Sequence, residues 1–349
     1  MKLILNFISR FAVYRQKGGI MKKYYKKILL LCGAAVMLSA MMLAGCASQP
    51  SASSDVSLSN DNKKLNVITS FYPMYDFAKK IGGEYVDVTN LVPAGTEPHD
   101  WEPSTTDITS LEHADVFVYN GAGMESWTDK VLSTLSNKSL TTVEASQNIS
   151  LREGGKHEHE HDEDENHTNE ENHDEEHYDP HVWLNPLNAK KEMENIKDAF
   201  VKTDPEHKQY YDNNYKAWSD ECDRLYNEYQ EALNQVKTKN LVVSHEAFGY
   251  LCDAFGLNQM GIQGIEPDSE PDPAHMAEII DFVKANQVKV IFSEELVSPK
   301  VAQSIANATG AQLEVLNPIE GLTNTQLENG DDYFTVMREN LTALKKALN

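Results

Sequence analysis

One pattern constrains this chain more than any other: short β-rich runs alternate with helical stretches of about ten residues, and the alternation occurs twice. In the first half, runs at 65–70, 86–91, 116–119 and 140–143 read as strands. The helical stretches between them are 73–81, 105–113 and 126–135. In the second half, strands are expected at 241–244, 288–292 and 313–316, with helices at 247–255, 273–286, 299–309 and 333–348. Strands separated by helices of that length must run parallel, because a tight hairpin cannot join them. The reading is an α/β chain with two lobes, 63–204 and 240–349. Between them, 205–239 is helix-like, opened by Pro205 and carrying lysines near its end. Tyr211, Tyr215, Trp218, Cys222, Leu225 and Tyr229 recur at three- or four-residue spacing there, which predicts an apolar face packed on the core. At about 1.5 Å per residue such a helix exceeds one lobe and would serve as a rigid strut between two.

The first 62 residues do not share this pattern. Residues 21–27 (MKKYYKK) are basic, 28–44 carry no charge, and the stretch ends Leu43-Ala44-Gly45-Cys46. Small residues before a cysteine and a Ser-rich sequence after it point to a cleaved signal rather than a membrane span. The segment resembles a bacterial lipoprotein signal, which implies cleavage before Cys46 and lipidation of its sulfur. Residues 1–20 read as an upstream extension or alternative start, 21–45 as the signal peptide and 46–62 as a flexible tether. Two lipid chains suffice for a stable hold on a membrane.

The net charge of −23 excludes a phosphate-binding stripe and hence a nucleic-acid partner, and favours small cations. Four widely spaced cysteines exclude a disulfide scaffold, and Cys222 and Cys252 are expected to be buried and free. Within 153–179, thirteen acids accompany His157, His159, His161, His167, His173 and His177. Such a composition builds no core. It contains a literal H-E-x-x-H at 157–161, but zinc-protease chemistry needs that motif on an ordered helix with both imidazoles on one face. An auxiliary, weak metal tract is the better reading.

Three other histidines lie in structured contexts. His99 sits in PAGTEPHDWEPS (93–104) after a strand, His181 in YDPHVWLNP (178–186), and His245 directly after the strand 241–244. Ligands of open α/β sheets bind beyond the carboxyl ends of strands. One such histidine is unremarkable, but three together suggest a metal site.

These segments, with FYPMYDFAKKIGG (71–83), VVSHEAFGYL (242–251) and LNPIEGLT (316–323), resemble the zinc- and manganese-binding lipoproteins of bacterial ABC importers, the cluster A-I metal solute-binding proteins. The resemblance covers nearly all of 63–349. It implies two Rossmann-like (β/α) lobes, a rigid linking helix and a metal site in the cleft between the lobes. It also implies a monomer on the extracytoplasmic face of the cell membrane that passes metal to an ABC permease membrane subunit, without catalysis. Carried across residue by residue, His99, His181 and His245 match the imidazole ligands. The fourth position, often Asp, aligns with Asn317, a poor ligand expected to matter little. Glu320 is the expected fourth ligand, with Glu294 and Glu295 as alternatives. Three imidazoles and one carboxylate favour Zn2+ over Mn2+, and the acidic His-rich insert is typical of the zinc branch. The competing readings are a manganese importer lipoprotein, an adhesin-like surface protein involved in cell adhesion, and a secreted zinc hydrolase with Glu246 as general base.

Overall fold

The computed structural model describes residues 63–154, 178–267 and 271–349. The signal, Cys46, the tether and the histidines 157–177 lie outside the described residues. Each half builds a four-stranded, wholly parallel sheet. The first contains β1 (Leu65–Thr69), β2 (Val86–Asn90), β3 (Val116–Tyr119) and β4 (Thr141–Glu144), in the order β2-β1-β3-β4. The second contains β5 (Asn240–Val243), β6 (Asn258–Gly261), β7 (Val290–Ser293) and β8 (Gln312–Val315), in the order β6-β5-β7-β8. The two halves therefore repeat one topology.

The helices form where local chemistry favours them. In the first lobe, α1 (Tyr72–Gly82) has Pro73 in its first turn and Lys79 and Lys80 in its last. It stops at Gly83, whose φ of 54° a side chain would resist; a Cβ there would also collide with the Tyr210 hydroxyl. A reciprocal capping box between Ser104 and Asp107 starts α2 (Thr105–Glu112), and α3 (Thr128–Thr134) follows β3. The second lobe adds α6 (Gly249–Phe255), α7 (Pro273–Ala285), α8 (Lys300–Thr309), α9 (Asn324–Asn329) and α10 (Tyr333–Ala347). Asp272 caps α7 through the amides of Ala274 and His275.

The expected strut is a 3-10 turn (Pro205–His207) followed by the α-helix α5 (Lys208–Leu233), so it ends earlier than 237. Tyr211, Cys222, Leu225 and Tyr229 are buried as expected, while Tyr215 and Trp218 pack against the core half-buried. Three elements were not anticipated from sequence. The largest is α4 (Pro186–Thr203), begun by the Asn185 cap and Pro186 and packed along α5 and α1. The others are the edge strand β6 and the short α9.

The inner faces of both sheets share one core. Val67 and Val118 belong to it, as do Leu241, Val243, Val290 and Phe292. The outer faces have separate clusters, around Phe117 and Trp127 in the first lobe and Ile279, Ile291 and Ile305 in the second. A second strut reinforces the first. At its start, α10 is tied to the first lobe: Lys80 Nζ lies 2.8 Å from both Asp76 Oδ1 and Asp332 Oδ2, and the rings of Phe77 and Tyr333 meet edge to face at 5.0 Å. At its end, the Leu348 carbonyl accepts from the amides of Lys237 and Thr238, beside β5. Burying a side chain such as Phe77 contributes about 1.5–3 kcal/mol, so parting the lobes widely would forfeit many such terms. Cys222 and Cys252 are buried and unpaired.

Candidate metal centre

The expected histidines lie in loops or at element ends: His245 just past a strand, His181 at the start of a 3-10 turn and His99 in a long loop. The first lobe supplies His99, in the loop after β2, and His181, which precedes the 3-10 turn Val182–Leu184 leading into α4. From the second lobe come His245, two residues past β5, and Glu320, in the loop after β8. A backbone bond from the Gly95 amide to the Leu322 carbonyl, 3.0 Å, ties the His99 loop to the Glu320 loop.

The four side chains converge on one point, their nearest donor atoms all within 4.8 Å of one another. Glu320 Oε1 is 3.2 Å from His99 Nε2, 2.9 Å from His181 Nε2 and 3.1 Å from His245 Nε2. His181 Nε2 is 3.2 Å from the Nε2 atoms of both His99 and His245. A tetrahedral zinc ion with bonds of about 2.0–2.1 Å would separate its ligand atoms by roughly 3.3 Å. Five of the six donor pairs have nearly that spacing, and the sixth, His99 to His245, lies within 4.8 Å. His181, His245 and Glu320 are 0%, 0% and 1% exposed, so water scarcely reaches them.

Carboxylates stand behind two of the rings. His181 Nδ1 lies 2.9 Å from Asp179 Oδ1, and His245 Nδ1 lies 2.8 Å from Glu294 Oε1. An ionised carboxylate only accepts, so in the neutral ring the proton sits on Nδ1 and the Nε2 lone pair points at the shared centre. Asp179 is itself held by Arg152, with Nε 3.4 Å from Oδ2. The same carboxylates shape the titration of the cluster. Burial opposes charge on His245, but Glu294 and Glu320 outweigh it and raise its pKa well above the ordinary value. Burial likewise opposes charge on His181, and the bonds to Asp179 and Glu320 overcome it. Glu320 is held well below the usual carboxylate range: burial pushes it up, but the charge of His245 and bonds from the three imidazoles prevail.

Glu294 and Glu295, the alternative fourth ligands, do not join the cluster. Glu294 grips the far side of His245, and Glu295 Oε2 accepts from Asn317 Nδ2 at 2.7 Å. The reason is reach: both follow β7 and meet the backs of their neighbours, while Glu320 comes round from the next loop. Glu246, the general base of the hydrolase reading, lies against Gly261, where an added Cβ would collide with its Cγ. It is also outside the cluster. Asp179 was missed; its signal was the Asp-Pro-His spacing, which lets a carboxylate bond both the amide and the ring two residues on.

With this geometry established, the chain can be set beside known proteins. Residues 67–347 match the family described as ZnuA, zinc-uptake complex component A, periplasmic. The zinc-binding lipoprotein AdcA of Streptococcus pneumoniae is 38% identical over 321 residues, covering 92% of this chain and 61% of AdcA. This chain therefore spans about three fifths of that relative's length. The high-affinity zinc uptake system protein ZnuA of Bacillus subtilis is 40% identical over 308 residues, covering 88% of this chain and 94% of that protein. Among solved structures, the Zn(II)-bound ZnuA-like domain of S. pneumoniae AdcA superposes with a TM-score of 0.69 at 36% identity, over 82% of this chain and 99% of that one. The shared fold and the match along nearly the whole described chain have one meaning: this chain belongs to the ZnuA family.

Proposed function

We propose that the protein captures Zn2+ as cargo outside the cytoplasm and delivers it to an ABC-type permease for zinc uptake. The observation that carries this reading is the meeting of three Nε2 atoms and Glu320 Oε1 within 4.8 Å of one another, with five of the six separations at 2.9–3.2 Å. His99, His181, His245 and Glu320 are the proposed ligands. Three neutral imidazoles and one carboxylate suit Zn2+, whereas Mn2+ prefers a set richer in oxygen. Four protein donors complete a tetrahedron and reserve no position for an attacking water, which supports a binder rather than a hydrolase. The names of the relatives, a lipoprotein and an uptake component, support lipidation at Cys46 and a permease as partner.

Competition with a chromophoric chelator tests the assignment. One zinc per chain should bind tightly, with further zinc held weakly by the 157–177 tract. Equal or tighter binding of Mn2+ at the tight site would overturn the zinc reading.

A further inference from the structure

The loop that presents Glu320 passes through a conformation that its own sequence resists. Ile319, immediately before the ligand, has φ of 62° and is fully buried. A β-branched residue in the left-handed region is a genuine outlier, because its Cβ crowds the following carbonyl. Such a conformation persists only where the surroundings over-determine it.

Here they do. Asn317 Oδ1 accepts from the Ile319 amide at 2.7 Å. The Asn340 side chain, on α10, brackets the Asn317 backbone: Oδ1 accepts from the Asn317 amide at 2.9 Å, and Nδ2 donates to the Asn317 carbonyl at 2.7 Å. Trp183 Nε1 donates to the Pro318 carbonyl at 2.8 Å. Trp183 lies two residues beyond His181, and its own carbonyl accepts from the Tyr333 hydroxyl at 2.7 Å. Asn317, Asn340 and Trp183 are all buried, and none belongs to the converging tetrad.

We propose that Asn317, Asn340 and Trp183 are positioning residues: they force Ile319 into the left-handed region, aim Glu320 Oε1 at the three imidazoles, and so set the coordination geometry and the preference for zinc over manganese. The proposal rests on the reading of the tetrad as the zinc site. Without the clamp, Ile319 relaxes, the peptide before Glu320 turns, and the carboxylate leaves the tetrahedron. Three imidazoles and solvent then remain, a weaker and less discriminating set. Because Trp183 follows His181, the clamp also ties a ligand of the first lobe to one of the second. Asn317, which the sequence reading treated as dispensable, thus becomes the hub of the loop.

The test uses the full chain as wild type, Asn317→Ala, Asn340→Ala, and Asn340→Ala combined with Ile319→Gly. Zinc affinity and the zinc-to-manganese ratio are measured, with the visible absorption of the Co2+-substituted protein. Each single variant should lose about 10–100-fold in zinc affinity, the usual effect of removing an outer partner. Each should also weaken the intense bands of tetrahedral Co2+ and lower the metal ratio. Adding Ile319→Gly should restore part of the band intensity, since glycine adopts a positive φ without strain. Lower thermal stability with unchanged Co2+ bands would overturn the proposal, as would unchanged affinity. If Asn340→Ala does not fold, Asn317→Ala decides, because it keeps the backbone groups that Asn340 holds and loses the bond to Ile319. A wild type lacking both tight zinc and tetrahedral Co2+ bands would refute the site itself and the clamp with it, an outcome distinct from variants that behave like a zinc-binding wild type.

Discussion

His181 and His99 approach the same point from the same lobe, yet they are held differently. His181 is completely buried, carries Asp179 behind its ring and sits at the start of the 3-10 turn Val182–Leu184 that leads into α4. His99 lies in the long loop after β2, and its ring has no carboxylate behind it among the described residues; Glu97 Oε1 accepts only from its backbone amide, at 3.0 Å. His245 follows the pattern of His181, with Glu294 in the place of Asp179. The site thus has a fixed part (His181, His245 and the clamped Glu320) and a lightly held part, His99. A fixed donor set is oriented before metal arrives, so less ordering entropy opposes binding.

The largest effect expected of this difference is on pH. Carboxylates raise the pKa of His181 and His245 above the ordinary imidazole value near 6.5. In the zinc-free protein the fixed pair therefore keeps its protons to higher pH than a free imidazole, and zinc must displace them. Affinity should fall as pH drops through these raised values, so the decline begins above pH 6.5 rather than below it. With two protons released per zinc the slope approaches about 100-fold per pH unit. Glu320, held below its usual 4.5, stays anionic throughout and adds no proton until well below that value. Stability of the zinc-free protein has the matching sign. The contribution of the two charged histidines is fully present below about pH 6.5 and is lost as pH rises through their raised folded values. That of Glu320 is present above about 4.5 and is lost as pH falls through its lowered folded value. Titration calorimetry in two buffers of different ionisation enthalpy measures the protons released. Affinity that is flat between pH 7.5 and 5.5 would contradict the fixed-pair picture.

Ligand substitution should separate the two parts next. His181→Ala, His245→Ala or Glu320→Ala removes a preoriented, buried donor and should weaken tight zinc binding by more than ~100-fold, beyond what outer partners usually cost. His99→Ala removes a donor whose ring has no carboxylate behind it among the described residues, and should cost less, on the order of 10-fold to 100-fold. Chelator competition on the four proteins checks the ranking. If His99→Ala proves the most damaging, the division drawn above is wrong.

The carboxylates behind the rings come third. Asp179→Asn and Glu294→Gln keep the shape but can present an amide N–H to Nδ1, which favours the wrong tautomer. Each should lower zinc affinity by about 10–100-fold. Glu97→Gln keeps an acceptor for the His99 amide and removes a charge that hydrogen-bonds no ligand ring, so it should change affinity less, by under about 10-fold, within the range of one ordinary hydrogen bond. Equal losses in all three would remove the distinction between the parts.

How much of this could be read beforehand depends on how local its signal was. Seven of the eight strands were legible because runs such as Leu241-Val242-Val243 are apolar and rich in β-branched residues. The eighth, β6, reads Asn-Gln-Met-Gly and exists only because β5 offers it an edge, with Asn240 paired to Asn258. Helix α4 was overlooked although Asn185-Pro186 is a start signal and Ala189, Met193, Ile196 and Phe200 keep helical spacing. A buried Glu192 in that stripe obscured its apolar face. The proposed ligands His99, His181 and His245 could be picked out by their Pro-rich or strand-end contexts. The grip on them could not, since Glu294 meets His245 across 49 residues and Asn340 meets Asn317 across 23. Such pairings are made by the fold, not by neighbouring sequence.

The smallest effect should come from shortening the His-rich segment, which supplies none of the four proposed ligands. All four proposed ligands lie among the described residues, two buried rings are already backed by carboxylates, and the Glu320 loop is fixed from three sides. The segment's boundaries are also closed independently of its interior. Glu153 and Tyr178 form an antiparallel bridge, the Asp179 amide donates to the Arg152 carbonyl at 3.0 Å, and the Arg152 amide donates to the Tyr250 hydroxyl at 2.9 Å. Removing 158–176 should therefore leave Asp179 on His181, with tight zinc affinity changed by less than about 3-fold, since closing a shorter loop shifts its entropy only slowly with length. The weak additional zinc sites should disappear together with the histidines that would form them. Stoichiometry by metal analysis and affinity by chelator competition, on the full and shortened proteins, separate the two quantities. Loss of the tight zinc on deletion would mean that the lightly held side is completed by the segment rather than by His99.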